Sequence, residues 1–155
     1  MKAQMFFVLM LLSVSTYSQE PTDKKRVDVI SNSRGNEFSP TISADGRTMI
    51  FETNKGKKWE LYESILGENN QWSEPAPLTS INEKCHFIAG PNLNYDANIL
   101  YYTAFIEGVT KTEDIFYSVR LDDQHWSEPI ALGLPVSTPD LYEGFPSISA
   151  DGQPV

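Results

Sequence analysis

The chain has 155 residues, 40% of them hydrophobic and 21% charged, which is the composition of a globular protein rather than a long disordered one. A formal net charge of −9 and a pI near 4.6 argue against sequence-independent nucleic-acid binding and against docking on anionic lipid, since both need clustered Lys and Arg. The single cysteine, Cys85, has no partner for an internal disulfide, so packing must hold the fold together; it reads as a small buried apolar residue.

The first element is an address. Lys2 precedes the apolar run Met5–Leu12, and the small or polar residues Ser13, Ser15, Thr16 and Ser18 follow. These are the three parts of a secretory signal peptide over residues 1–18, with cleavage after Ser18. The run is too short for a membrane span, so the mature chain is expected to be exported and not membrane-inserted. In the following segment, 19–34, Val27-Asp28-Val29-Ile30 is expected as an outer strand that helps close a ring.

From residue 35 the chain repeats. Phe38-Ser39-Pro40-Thr41-Ile42-Ser43-Ala44-Asp45-Gly46 aligns with Ala89-Gly90-Pro91-Asn92-Leu93-Asn94-Tyr95-Asp96-Ala97. Both align with Phe145-Pro146-Ser147-Ile148-Ser149-Ala150-Asp151-Gly152, and each aspartate follows its proline by five positions. Asp45 and Asp96 are 51 residues apart, and Asp96 and Asp151 are 55 apart. Trp72-Ser73-Glu74-Pro75 recurs as Trp126-Ser127-Glu128-Pro129, 54 residues later. Several landmarks in constant order mark a repeat architecture.

Each unit reads as four short strands. In the first they fall near Phe38–Ser43, Thr48–Thr53, Trp59–Ile65 and Trp72–Leu78; in the second, near Ala89–Leu93, Asn98–Phe105, Asp114–Leu121 and Trp126–Leu132. Asp45-Gly46 suits a tight hairpin. Pro75, Pro77 and Pro129 belong to an outermost strand, because proline cannot donate to a ladder. No window outside the signal keeps a helical period. Four strands per unit at a period near fifty predict an all-β chain of β-propeller blades, each of four antiparallel strands. Blade 1 spans about 35–80 and blade 2 about 86–134, and the start of a third blade spans about 141–155. The expectation is an incomplete propeller, with missing blades or other copies needed for ring closure.

Ser39–Asn54 resembles the TolB-type, WD40-like propeller repeat, which reads Ser-Pro, two residues, Ser, one residue, Asp-Gly, then an apolar strand ending in Ser/Thr-Asn. The second unit departs from it at Asn94, Ala97 and Phe105, so its turn is expected to differ. The resemblance implies an exported protein of Gram-negative type, in the periplasm or at the outer membrane.

No catalytic, cofactor or metal residue is predicted. Ser43–Thr48 departs from the sialidase Asp-box, because Asp45 and Gly46 are adjacent and Met49 stands where Trp belongs. No Gly-x-Ser-x-Gly elbow is present. His86 and His125 lack metal-ligand spacing, and Asp122-Asp123 reads as a solvated turn. Asp45, Gly46, Asp96, Asp151 and Gly152 are assigned to the structural repeat turns, where aspartate accepts backbone hydrogen bonds. Trp72 and Trp126 are assigned to packing between blades, ring buried and N–H bonded, in preference to sugar stacking. The loop from Phe105 through Ile106, Glu107 and Val109 is longer than its blade-1 counterpart and is the candidate contact loop. The expected role is a non-catalytic binding or scaffolding propeller for a protein, peptide or glycan in the cell envelope. The alternative is the accessory propeller of a larger exported peptidase or carbohydrate-active enzyme.

Overall fold

The computed structural model describes residues 26–31, 35–138 and 140–149; residues 1–18, read above as a signal peptide, and Asp151 and Gly152, assigned above to the third repeat turn, lie outside them. The chain is all-β. Sheet one has the order β1 (Glu37–Ile42), β2 (Thr48–Thr53), β3 (Glu60–Ile65), β4 (Ala76–Pro77). Sheet two has the order β5 (Phe87–Leu93), β6 (Ile99–Phe105), β7 (Asp114–Val119), β8 (Ile130–Ala131). Every neighbouring pair is antiparallel.

The fourth strands are shorter than the sequence suggests. Each is a two-residue ladder preceded by a single bridge, Leu66 to Trp72 in sheet one and Arg120 to Trp126 in sheet two. Pro75 and Pro129 lie between the bridge and the ladder, where a residue without an N–H cannot continue the pairing, and Pro77 sits within the outer strand itself.

The two sheets share irregular features as well as regular ones. The first hairpin of each carries a bulge, between Phe38 and Thr41 in sheet one and between Ala89 and Asn92 in sheet two. The residue before the proline is left-handed in all three repeats: Ser39 at φ 49°, Gly90 at φ 59° and Phe145 at φ 55°. A residue before proline ordinarily prefers extended backbone. At Gly90 the conformation is eased by the absent Cβ, which would also sit 2.8 Å from the Phe145 ring.

A single helical turn leads into each repeat. Ile30 and Ser31 donate to the Val27 carbonyl at 3.0 and 2.9 Å, and Ile81 and Asn82 donate to the Leu78 carbonyl at 3.1 and 2.9 Å. Val136 and Ser137 donate to the Gly133 carbonyl at 3.1 and 2.9 Å. Val27–Ile30, expected as a ring-closing strand, is therefore a turn; the sequence offers it a tertiary site for Ile30 that outweighs the β-propensity of two valines.

The main core lies between the sheets. Ile50 and Leu61 of sheet one meet Leu100, Tyr102, Ala104, Phe116 and Trp126 of sheet two, with Leu78, Ile81, Cys85, Ile88 and Leu93 filling the seam. Full burial of one such aliphatic or aromatic side chain contributes roughly 1.5–3 kcal/mol. The opposite face of sheet one repeats the arrangement on a smaller scale. There Met49, Phe51, Tyr62 and Trp72 pack beneath Val27, Val29 and Ile30. Ile30 and Ile81 thus do the same work on successive sheets, at 5% and 0% exposure, whereas their counterpart Val136 is 50% exposed.

The contact between units also repeats. Gly90 N–H donates to Glu52 Oε2 at 3.3 Å and Leu93 N–H to Thr41 Oγ1 at 3.1 Å, joining the second unit to the first. Phe145 N–H donates to Thr103 Oγ1 at 2.7 Å and Ile148 N–H to Asn92 Oδ1 at 3.2 Å, joining the third to the second through equivalent positions.

Candidate interaction surfaces

One rim carries the repeat turns. In the first, Ser43 Oγ accepts from Thr48 N–H at 2.9 Å and donates to Asp45 Oδ1 at 2.5 Å, while Asp45 accepts from Arg47 N–H at 3.0 Å. The Ser43 hydroxyl first, and then the Arg47 N–H, hold the Asp45 carboxyl below the usual carboxylate range. The second turn has the same backbone despite its different sequence. Ala97 takes φ 53° where Gly46 takes φ 72°, and each closes on the residue three before it, Ala97 N–H on Asn94 O at 3.0 Å and Gly46 N–H on Ser43 O at 2.8 Å. The turn expected to differ therefore does not. Asn94 replaces Ser43 functionally, its Oδ1 accepting from Asn98 and Ile99 N–H at 3.0 and 2.9 Å. Asp96 sits exposed beside it, and the two turns face each other across a recess of about 310 Å³.

The opposite rim carries the candidate contact loop. Ile106 accepts from Val109 and Thr110 N–H at 3.0 and 3.1 Å, so the loop folds into a compact turn. Val109 is 61% exposed, and Glu107 is exposed with its carboxylate 3.4 Å from His86 Nε2. Phe105 is half-buried, its ring 5.9 Å from His86, and Ile106 packs against the main core. Phe105 and Ile106, two of the loop's three apolar residues, are thus partly buried; the turn that folds Ile106 inward has no local sequence signature.

The tryptophans take related places. Trp126 is buried at the seam between the sheets, and Trp72 is half-buried on the far face of sheet one beneath the Val27–Ile30 turn. The indole N–H of Trp126, expected to be bonded, has no hydrogen-bond partner among the described residues. Its ring instead carries the Arg120 guanidinium, 4.3 Å from the centroid. Arg120 also donates through Nε to the Ala97 carbonyl at 3.0 Å and through Nη2 to Glu63 Oε1. This ties sheet two to sheet one across 57 residues of sequence, with both charges largely out of solvent. No signal in a single sequence joins Glu63 to Arg120, because sheet packing alone brings them together.

Beside that pair opens a cleft of about 480 Å³, bounded by Ile65, Ser73 and Pro77 of sheet one and by Gln124, His125 and Trp126 of sheet two. At its lip Asp122 receives the Gln124 and His125 N–H groups at 2.9 Å each and holds His125 Nδ1 at 2.7 Å. The Gln124 N–H first, and then the His125 imidazole, keep Asp122 below the usual carboxylate range. Burial pushes the Cys85 thiol up to about 12, so at neutral pH it is a protonated packing residue. Among the described residues, no cluster of three His, Cys, Asp or Glu side chains is placed to hold a metal ion, and no helix is long and apolar enough to cross a membrane. No protein-family model matches the chain, and no curated protein matches it significantly.

Proposed function

We propose that the chain is built of β-propeller blades and acts as a non-catalytic binding or scaffolding module in the cell envelope of a Gram-negative-type cell. The observation that carries this reading is the repeated junction. The same two hydrogen bonds join unit two to unit one and unit three to unit two, through equivalent residues. A fixed contact reused at successive junctions is what stacks four-stranded blades about an axis. The resemblance of Ser39–Asn54 to the TolB-type repeat and the leader-like residues 1–18 support an exported location. Such a stack displays its turns and loops on two rims, which suits a protein, peptide or glycan partner.

Fractionation with site-specific photo-crosslinking in a Gram-negative host tests this. A crosslinker is placed at Val109 on one rim and at Tyr95 on the other, both exposed. Discrete adducts in the periplasmic or outer-membrane fraction are expected from at least one rim. Retention in the cytoplasm with residues 1–18 uncut, or no adduct from either rim, refutes it.

A further inference from the structure

The two units differ at one otherwise repeated position. In unit one the Lys58 ammonium donates to the Asn82 carbonyl at 2.7 Å and lies 3.8 Å from Glu60 Oε1, at the start of β3. Glu60 corresponds to Asp114 at the start of β7, because each stands opposite an equivalent residue of the neighbouring strand, Thr53 and Ala104. Asn82 corresponds to Ser137, because each side chain accepts an equivalent N–H, that of Leu61 and that of Ile115. The counterpart of Lys58, 54 positions on, is Thr112, whose hydroxyl donates to the Leu141 carbonyl at 2.8 Å. Unit two therefore keeps the carboxylate and the turn but not the lysine.

Polar atoms are left over as a result. Asp114 is 5% exposed, and neither its Oδ1 nor the buried Thr110 Oγ1 has a hydrogen-bond partner among the described residues. Both residues, with Ser137, wall a recess of about 270 Å³ beside the candidate contact loop, and Val109 and Leu134, 61% and 72% exposed, complete it with apolar surface. Lys111 also lines the recess, but its ammonium pairs with Asp140 at 2.7 Å. A buried acceptor without a donor is costly, and a charged donor relieves a carboxylate most.

We propose that this recess takes a primary ammonium on an unbranched apolar stem, as a lysine side chain of a protein partner supplies. The ammonium donates to Asp114 Oδ1 and Thr110 Oγ1, as Lys58 serves Glu60 and Asn82 in unit one, and the stem lies on Val109 and Leu134. A second unit thus receives from outside the cation that the first carries within. As the anchor for a partner at this rim, the site rests on the binding role proposed above; as an ammonium site, it does not.

Amide chemical shifts of Thr110 and Ser137 in the purified protein read occupancy of the recess. Nα-acetyl-lysine N-methylamide is expected to shift them saturably, with a Kd on the order of millimolar. The norleucine analogue, with the same stem and no ammonium, should bind at least about tenfold more weakly. Asp114→Asn should weaken the lysine compound on the order of tenfold, with the β2 amides unmoved as the check on folding. Thr112→Lys supplies the cation of unit one from within the chain and should abolish binding. Cadaverine, a free diamine, separates the sources: weaker binding than the lysine compound supports a protein side chain, and tighter binding overturns the protein partner. The absence of a saturable shift, equal binding of the norleucine analogue, or unchanged binding in Asp114→Asn or Thr112→Lys overturns the site. None of these outcomes depends on export or on adducts at Val109, so failure here leaves the cell-envelope role standing.

Discussion

Asn82 is the side chain whose replacement tests the inter-sheet seam most directly. It is buried, and its carboxamide imitates a neighbouring strand: Leu61 N–H donates to Oδ1 at 2.9 Å, and Nδ2 donates to the Leu61 carbonyl at 2.9 Å. In Asn82→Ala the Leu61 carbonyl keeps Leu78 N–H as a donor at 2.9 Å, but the Leu61 N–H loses its partner in the core. An unpaired buried donor costs about 1–3 kcal/mol, and the second lost bond about 1 kcal/mol, for a total of roughly 2–4 kcal/mol. The equivalent residue in the next repeat is Ser137, whose hydroxyl accepts from Ile115 N–H at 3.1 Å. Asn82→Ser therefore keeps the more important bond and should cost only about 1 kcal/mol. Asn82→Asp sets a carboxylate against the Leu61 carbonyl in the core and should be the worst of the three. Urea titration gives the ranking, with the midpoint moving and the slope constant. A loss of about 3 kcal/mol also lowers the melting temperature by roughly 10 °C or more. The reasoning fails if Asn82→Ala lies within about 0.5 kcal/mol of wild type, or if Asn82→Ser is as damaging as Asn82→Ala.

Three further outcomes follow. Glu63→Gln should cost about 3 kcal/mol because it strands Arg120, whereas Glu63→Gln with Arg120→Met should recover at least half of that in a double-mutant cycle by denaturation; additive losses refute the coupling. Cys85 should react with a disulfide reagent at mildly alkaline pH only after denaturant is added; prompt labelling of the native protein contradicts its burial. Gly46→Ala should lose about 1 kcal/mol from its left-handed turn, while Ala97→Gly should stay within about 0.5 kcal/mol of wild type or gain; equal losses at both positions in thermal melts count against the shared turn geometry.

What was legible in the sequence was what recurs. The Trp-Ser-Glu-Pro and Asp landmarks located both four-stranded units, and the prolines located their outer edges. The turns leading into each repeat were missed at Val27–Ile30 because a short β-branched run satisfies the strand pattern. The 51-residue offset from Val27 and Ile30 to Leu78 and Ile81 was the available signal. The left-handed residue before each proline was invisible at Ser39 and Phe145, neither of which advertises a positive φ. Glu63–Arg120 could not be read at all, because it joins residues that only the docking of one unit on the next brings together. The inward place of Ile106 is illegible for a related reason, since a residue in a polar loop packs on the core only if the loop closes on itself.

The left-handed kink before each proline has a directional consequence. It turns one peptide N–H out of its own hairpin and presents it to the unit before: Gly90 to Glu52, Phe145 to Thr103. The second unit therefore has a donating side and an accepting side, like a plug and a socket: it donates to the first unit and accepts from the third. Units can stack in one sense only, because the reverse sense sets donor against donor at one junction and acceptor against acceptor at another, each buried and unpaired. Polarity of growth is thus written into a backbone conformation and not into the rim loops, so those loops are free to change length and chemistry without scrambling the order of the stack.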